Sequence, residues 1–314
     1  EEMERCGAPW MPDSGVRNLG PVLIAHGSDA QKQHWLPRIA RGELRLQAFG
    51  VTEPDSGTDT ASITTTARRE GNHYIIRGAK IWTSRAEHSD LMIVLARTSP
   101  IAEGKKRTSG LSVFLLDLHE ARKQGLTIDP IRTMMNHATT SIGFDDVPVP
   151  AENLIGQEGE GFRYILSGMN AERILIAAEC VGDARMFIDR STAYAKERVV
   201  FGRPIGQNQG VQFPIARAYA NMRAASLMVA EALRRFEADE PCGPEANMAK
   251  MLAADASFEA ANVAIQTHGG FGFAEDFDIE RKFRETRLYQ VAPISTNLIL
   301  SHLAEHVLGL PRSY

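Results

Sequence analysis

Apolar residues change their spacing along the chain, and the change divides it into three parts. Residues 1–45 carry a helical pattern, in which Ser28 can cap a helix over about residues 30–41. Residues 46–155 carry short β-rich runs without helices between them, which predict a small antiparallel β-barrel or sandwich. Residues 156–314 return to long helical segments. The pattern therefore predicts an α+β chain with the order α, then β, then α.

The last part has the pattern of a four-helix bundle. Glycine and proline clusters separate its helical stretches, because neither residue continues a helix well. The helices expected there run roughly over residues 160–198, 208–238, 244–268 and 295–308. Long helices in succession are typical of a bundle in which each helix buries one stripe.

Composition argues against several classes of protein. The net charge of −4 gives no basic footprint for nucleic acid, and no apolar run reaches the length of a membrane span. The cysteines Cys6, Cys180 and Cys242 are far apart and lack metal-ligand spacing, so we expect a reduced compartment, no disulfide framework and no metal site. No signal is visible; the location would be cytoplasmic in a bacterium and mitochondrial or peroxisomal in a eukaryote.

The segment Phe49–Asp59 combines an apolar pair, a proline, small residues and flanking carboxylates. Pro54 fixes one φ angle, and Gly57 can adopt dihedral angles that are closed to other residues. The segment suits neither a strand nor a helix, and it predicts a rigid surface turn. The turn would present backbone N–H groups and the hydroxyls of Thr52 and Thr58 to a ligand. Taken alone, an ordinary polar loop explains it better.

Four separated segments resemble those of the acyl-CoA dehydrogenase family, in the same order. They are Phe49–Asp59, Lys80–Ser84, the R-x-x-F-G stretch within Lys196–Ile205 and the Q-x-x-G-G-x-G turn within Gln266–Phe273. Each has a plain structural explanation by itself: a polar loop, a core tryptophan, a capped helix end and a helix stop. Together they span nearly the whole chain, which therefore resembles the acyl-CoA dehydrogenase-like flavoproteins.

The resemblance implies FAD as the cofactor. By position in the family's motifs, Arg198 would meet the pyrophosphate and Phe201 would pack on the dinucleotide of a neighbouring subunit, so a homotetramer, or else a dimer, is expected. Trp82 and Ser84 would lie against the flavin ring. The other cofactor contacts that the resemblance implies are Phe49, Val51, Thr52, Gln209, Gln266, Gly269, Gly270, Ser295 and Asn297.

The resemblance also implies α,β-dehydrogenation of an acyl-CoA thioester, in which a carboxylate takes the α-proton and flavin N5 takes the β-hydride. Most members carry this glutamate in a Y-E-G-T turn near the C-terminus, but Pro293 stands there in this chain. Other members have the base on the first bundle helix, where Glu172 is the candidate and Glu179 the fallback. An exposed Glu–Arg pair is the alternative interpretation of Glu172. The N–H that Pro293 lacks would come from Ile294 or from a shifted turn.

Substrate contacts implied by position are Gly57, Thr58 and Arg173, the last of which would anchor CoA or hold its helix. Electrons would pass to an electron-transfer flavoprotein.

Two other functional hypotheses stay open: an oxygen-using flavoenzyme on the same fold, and a non-catalytic partner subunit of an active homologue. Compared with the family, the given sequence is expected to lack several N-terminal helices. Residues 1–45 are thus expected to be the remnant of an N-terminal α-helical domain, followed by a β-domain and a C-terminal α-helical bundle domain.

Overall fold

The computed structural model describes residues 1–8, 19–101, 103–104, 106–135 and 138–313. The chain forms two compact units. The sheet unit is Pro12–Met169, and the bundle unit combines Glu1–Met11 with Asn170–Tyr314. The domain boundaries expected after residues 45 and 155 stay a prediction.

Helices and strands are grouped in blocks along the chain. The helices are α1 (Glu2–Arg5), α2 (Gly20–His26), α3 (Asp29–Ala40), α4 (Leu118–Arg122), α5 (Gly161–Ser167), α6 (Met169–Glu197), α7 (Gln209–Glu237), α8 (Gly243–His268), α9 (Ile279–Arg287) and α10 (Thr296–His302). The strands are β1 (Leu46–Gly50), β2 (Thr66–Glu70), β3 (His73–Ser84), β4 (Leu91–Arg97), β5 (Leu111–Asp117), β6 (Leu126–Pro130), β7 (Thr139–Pro150), β8 (Leu154–Ile155), β9 (Val199–Val200) and β10 (Arg203–Pro204).

Helix α3 confirms the predicted cap. The Ser28 hydroxyl accepts a hydrogen bond from the Gln31 amide at 3.2 Å, and Gln31 Oε1 accepts one from the Ser28 amide at 2.9 Å. This reciprocal pair is a capping box, which satisfies two N–H groups that the first helical turn leaves without partners.

The sheet unit is built around an eight-stranded sheet with the order β6–β7–β3–β2–β4–β5–β8, and β1 pairs with β4 beside this path. Most neighbouring strands are antiparallel, but β1 and β2 run parallel to β4. The sheet is therefore mixed, where the sequence predicted an antiparallel one. Parallel partners are joined by long connections, so the local spacing of apolar residues carries no signal of them.

Strand β4 is buried on both of its faces. Met92 and Val94 belong to one hydrophobic core, which α4 also enters, whereas Leu91 and Ile93 belong to a second core with residues of α2 and α5. Because successive side chains of a strand point to opposite faces, double burial needs an unbroken apolar run. The run seen in the sequence at Leu91–Leu95 is explained in this way.

Helices α6, α7 and α8 are the long helices of the bundle unit, and their shared core is rich in alanine. The helix predicted over residues 160–198 is interrupted at Gly168, between α5 and α6. The helix predicted over residues 295–308 is α10 followed by a π-helical turn over Leu303–Val307. No helix of the described residues is both long and apolar enough to cross a membrane.

Helix α9 has no counterpart among the helices predicted from the sequence. Most of its residues are charged, and it packs through ion pairs: Lys282 contacts Asp183 of α6 at 2.5 Å and also Glu4 of α1. Arg281 donates to the Gly7 carbonyl at 2.7 Å. These contacts attach the first residues of the chain to the bundle. Apolar periodicity does not reveal a helix that packs through paired charges.

Candidate active site

The turn predicted within Phe49–Asp59 is present as Glu53–Ser56. The Glu53 amide donates to the Ser56 carbonyl at 3.0 Å, and the Ser56 amide donates back to the Glu53 carbonyl at 3.1 Å. Phe49 and Gly50 lie in β1, so the expectation that the segment suits no strand was wrong for them. The reason is the parallel pairing of β1 with the distant strand β4.

A buried ion pair connects this turn to β3. Lys80 Nζ lies 2.8 Å from Glu53 Oε1 and donates to the Val51 carbonyl at 3.1 Å, while the amides of Thr64 and Thr65 donate to Glu53 at 2.6 and 2.9 Å. Burial opposes the charge of Glu53, but Lys80 and these hydrogen bonds outweigh it and lower the pKa of Glu53 to about 2. Burial lowers the pKa of Lys80 to about 8, against the attraction of Glu53. The sequence analysis assigned no role to this pair.

Trp82 lies in a β-bulge of β3. The register against β7 shifts between Lys80 and Thr83, so that Ile81 and Trp82 together oppose Ser141. Trp82 has a φ of 60°, in the left-handed region that few residues other than glycine adopt, and its side chain is 57% exposed. The bulge thus presents a large aromatic side chain outward, which differs from the core tryptophan that was the alternative.

Other predicted contacts lie near this bulge. The Thr52 carbonyl accepts a hydrogen bond from the Ile81 amide at 2.9 Å, so the strip after β1 runs beside the strand that carries Trp82. Ser84 is partly buried and pairs with Thr139 of β7.

The remaining predicted residues of the sheet unit divide into two groups. Phe49 and Val51 pack against the second hydrophobic core, so their side chains hold β1 and its turn in place. Gly57 and Thr58 are exposed after the turn, where they are open to a ligand.

The bundle unit has a cavity of about 560 Å³ at the C-terminal ends of α6 and α8. Arg198, Gly269 and Gly270 all line it, so two of the predicted motifs meet here. A Cβ atom built on either glycine would have no heavy atom within 4 Å. The backbone is therefore accessible to a ligand at this place.

Tyr194 and His268 also line the cavity, and the sequence analysis assigned no role to either. The rings of Tyr194 and His268 stack with their centroids 4.4 Å apart, and His268 Nδ1 lies 2.8 Å from the Ala264 carbonyl oxygen. Burial lowers the pKa of His268, which favours its neutral form. The sequence contained a signal for both residues. Tyr194 lies one helical turn before Arg198, whose amide donates to the Tyr194 carbonyl at 2.8 Å, and His268 lies inside the glycine-rich motif.

Phe201 and Gly202 form the loop between β9 and β10. Both have positive φ angles, 52° and 76°, as a two-residue type I′ hairpin turn requires. The Phe201 side chain is fully exposed at the tip. An isolated large apolar side chain of this kind is suited to contact with another molecule.

Four further predicted cofactor residues do not line the cavity. Gln209 is the exposed first residue of α7, and Gln266 is exposed near the end of α8. Asn297 is exposed in α10. The Ser295 hydroxyl accepts a hydrogen bond from the Leu298 amide at 3.3 Å, so it caps α10.

Glu172 and Arg173 lie at the start of α6, and both are partly buried, unlike an exposed pair. Arg173 Nη1 donates to Asn170 Oδ1 at 3.0 Å, whereas its Nε is buried and has no partner in the part of the chain that is described. Burial lowers the pKa of Arg173, against the attraction of Glu172. A buried N–H group without a protein acceptor is available to a bound ligand.

The loop that contains Pro293 is held from both sides. Gln290 Nε2 donates to Asp255 Oδ1 at 2.8 Å, and Lys250 Nζ donates to the Ile294 carbonyl at 2.6 Å. The Ile294 amide has no hydrogen-bond acceptor among the described residues. The loop thus offers one free N–H group directly after the proline.

Metal ligation finds no support in the described ranges, where no group of three or more His, Cys, Asp or Glu side chains could hold an ion. The cysteines are free; Cys6 is exposed, and Cys180 and Cys242 are buried.

Comparisons with known proteins match nearly the whole length of the chain. Family models described as the N-terminal, middle and C-terminal domains of acyl-CoA dehydrogenase match residues 1–43, 48–147 and 159–308. The chain is 36% identical over 299 residues to acyl-CoA dehydrogenase FadE12 of Mycobacterium tuberculosis, covering 94% of this chain and 75% of the relative.

Solved structures agree with this match. An acyl-CoA dehydrogenase from Geobacillus kaustophilus superposes with a TM-score of 0.88 at 29% identity, covering 93% of this chain and 76% of that one. The prolyl acyl carrier protein oxidase AnaB superposes with a TM-score of 0.87 at 26% identity, covering 95% and 77%.

Proposed function

The chain belongs to the acyl-CoA dehydrogenase family of FAD-dependent oxidoreductases, and from this premise we propose that it dehydrogenates an acyl-CoA thioester between Cα and Cβ with Glu172 as the base. When bound, FAD supplies the acceptor for the hydride from Cβ. An electron-transfer flavoprotein would then take up the electrons.

The cavity of the bundle unit is the observation that carries the proposal. It joins Arg198 to Gly269 and Gly270, which are far apart in the chain. A guanidinium fork suits the phosphates of a dinucleotide, and the open glycine backbone suits its close approach. In the sheet unit, the exposed indole of Trp82 would cover an aromatic ring system. The residues of the chain therefore fit FAD.

A homotetramer forms part of the proposal. The fully exposed Phe201 at the hairpin tip supports a contact with the cofactor of a neighbouring subunit, because its own chain leaves the ring uncovered. A dimer is the alternative assembly, and light scattering of the purified holoprotein distinguishes the two.

Removal of the α-proton is assigned to Glu172. Pro293 offers no carboxylate, whereas Glu172 is partly buried beside the Arg173 guanidinium, whose Nε is available to substrate. A positioned general base contributes about 10²- to 10⁴-fold to a rate. The base must act on a carbon acid that is far too weak without polarisation of the thioester carbonyl.

Polarisation of that carbonyl is assigned to the Ile294 amide. Within the described chain this N–H group has no acceptor, and it follows the proline that occupies the usual position of the base. A backbone donor that is fixed before substrate binds stabilises the charge that develops on the carbonyl oxygen during α-proton removal. Arg173, Gly57 and Thr58 are proposed as further substrate contacts.

Anaerobic titration of the yellow holoprotein with a panel of CoA thioesters tests the proposal. We expect at least one thioester to bleach the flavin absorbance band, and we expect Glu172→Gln to slow bleaching by at least about 100-fold while FAD stays bound. The matched variant Glu179→Gln should bleach at the wild-type rate. Loss of bleaching in Glu179→Gln alone would move the base to Glu179. A yellow wild-type protein that no thioester bleaches would instead indicate a non-catalytic partner subunit.

An oxygen-using enzyme on the same fold is the second candidate. The similarity to AnaB, an oxidase by its name, favours it. Steady oxygen consumption with substrate and without any other electron acceptor would support this candidate over a dehydrogenase.

A further inference from the structure

Among the residues that the structure describes, three lysines are completely or almost completely buried: Lys80, Lys250 and Lys282. Two of them have carboxylate partners, since Lys80 lies 2.8 Å from Glu53 and Lys282 lies 2.5 Å from Asp183. A buried ammonium group is normally neutralised in this manner, because its removal from water costs several kcal/mol.

Lys250 differs from the other two. Its Nζ donates to the Ile294 carbonyl at 2.6 Å, and no carboxylate lies within ion-pair distance of it among the described residues. Burial lowers its pKa to about 8, against the attraction of the Asp255 carboxylate. For stability alone, an apolar side chain of similar length would serve better at this position of α8.

The hydrogen-bond partner of Lys250, the Ile294 carbonyl, indicates the role of its positive charge. The loop between α9 and α10 is anchored before Pro293 by Gln290, which donates to Asp255 at 2.8 Å, and after it by the Ser295 cap of α10. Between these anchors, the proline has no N–H group with which to hold the loop. Lys250 therefore holds the peptide that follows Ile294.

We propose that Lys250 is a positioning residue of the reaction: its ammonium group fixes the Ile294 carbonyl and thereby the orientation of the free Ile294 amide toward the thioester carbonyl. The inference rests on the proposed function for the role of that amide. The hold of Lys250 on the loop is a separate claim, and it can be measured without turnover.

Lys250→Met tests the proposal, since methionine has a similar length and no charge. We expect an unchanged or higher thermal midpoint and unchanged FAD affinity, but a kcat about 100-fold lower with little change in KM, as after loss of one preorganised donor. The infrared carbonyl band of bound acetyl-CoA, ¹³C-labelled at the carbonyl and too short to be dehydrogenated, should move to higher frequency. Lys250→Arg, which can still donate, should recover part of kcat.

Hydrogen–deuterium exchange of residues 288–298 provides the measurement that is independent of catalysis. Exchange should be faster there in Lys250→Met and unchanged in the control Asn247→Ala, which removes another buried polar side chain of α8. If the methionine variant does not fold, Lys250→Gln, whose amide is too short to reach the carbonyl, replaces it. Wild-type exchange and an unshifted carbonyl band in the variant would overturn the inference. A wild-type flavin that no thioester bleaches would overturn the proposed function, while the exchange comparison would still decide on Lys250.

Discussion

Glu53→Gln is expected to destabilise the sheet unit substantially, because Glu53 is half of a buried ion pair. Glutamine keeps the shape of the side chain and can still accept a hydrogen bond from Thr64. It removes the negative charge opposite Lys80, however, and leaves the ammonium group buried with only the Val51 carbonyl at 3.1 Å. The surviving partner then carries an uncompensated charge.

The pKa of Glu53 gives the size of the expected loss in the free energy of unfolding. It lies near 2, against an ordinary value of 4.5. Since one pKa unit corresponds to about 1.4 kcal/mol, ionised Glu53 favours the folded state by about 3 kcal/mol. The folded-state pKa is below the unfolded one, so this stabilisation is complete above about pH 4.5 and is lost as the pH falls toward 2. The free energies of unfolding of wild type and variant should therefore differ at pH 7 and become similar as the pH falls toward 2.

Urea unfolding followed by tryptophan fluorescence measures the effect, because Trp35 and Trp82 both belong to the sheet unit. We expect a lower midpoint for Glu53→Gln at pH 7. The double variant Glu53→Gln/Lys80→Met should lose less free energy of unfolding than the sum of the two single variants, because it buries no unpaired charge.

Glu231→Gln is the matched control. Hydrogen bonds from Arg234 and Arg235 lower the pKa of Glu231 to about 2 as well, but this carboxylate is on the surface, where water screens the pair. Its loss should move the urea midpoint far less. Equal midpoints for wild type and Glu53→Gln, or strictly additive losses in the double variant, would refute the reasoning.

Two further outcomes concern the cavity of the bundle unit. Arg198→Met should weaken FAD binding by about 10- to 100-fold, as expected for loss of a charged hydrogen-bond partner. Arg203→Met, in the hairpin that follows Arg198, should not weaken it, and flavin fluorescence titration of the apoprotein compares the two variants. Gly270→Ala should leave the thermal midpoint of the apoprotein unchanged, since the added Cβ meets open space, but it should reduce FAD affinity about tenfold or more. Gly243→Ala, whose Cβ also meets open space, should change neither the midpoint nor the affinity. An unchanged FAD affinity in Gly270→Ala would argue against close approach of the cofactor at this turn.

The family and the order of its structural blocks were accessible from the sequence because their signals are local. Ser28 predicted the cap of α3, and its hydroxyl accepts the hydrogen bond from the Gln31 amide. Apolar runs predicted β3, β4, β5 and β7, and glycine and proline clusters marked the breaks between α6, α7 and α8. The motif residues Arg198, Gly269 and Gly270 were recognised separately, and folding brings them to one cavity.

The sequence could not show contacts between residues that folding alone makes neighbours. The parallel strand β1, the charged helix α9 and the bulge at Trp82 depend on partners far along the chain. Apolar periodicity reports whether a face is buried, but it does not report which element covers that face.

By itself, then, the amino-acid sequence determined the type of protein and indicated the motif residues that we propose for cofactor binding, because motif chemistry and helix or strand periodicity operate over a few neighbouring residues. Tertiary structure alone decided how the buried lysines are used. The spacing of a lysine along a helix does not identify its partner. Lys250 donates to the Ile294 carbonyl, 44 residues away, and Lys282 pairs with Glu4, 278 residues away, because packing excludes water and leaves each ammonium group only the protein groups around it as partners.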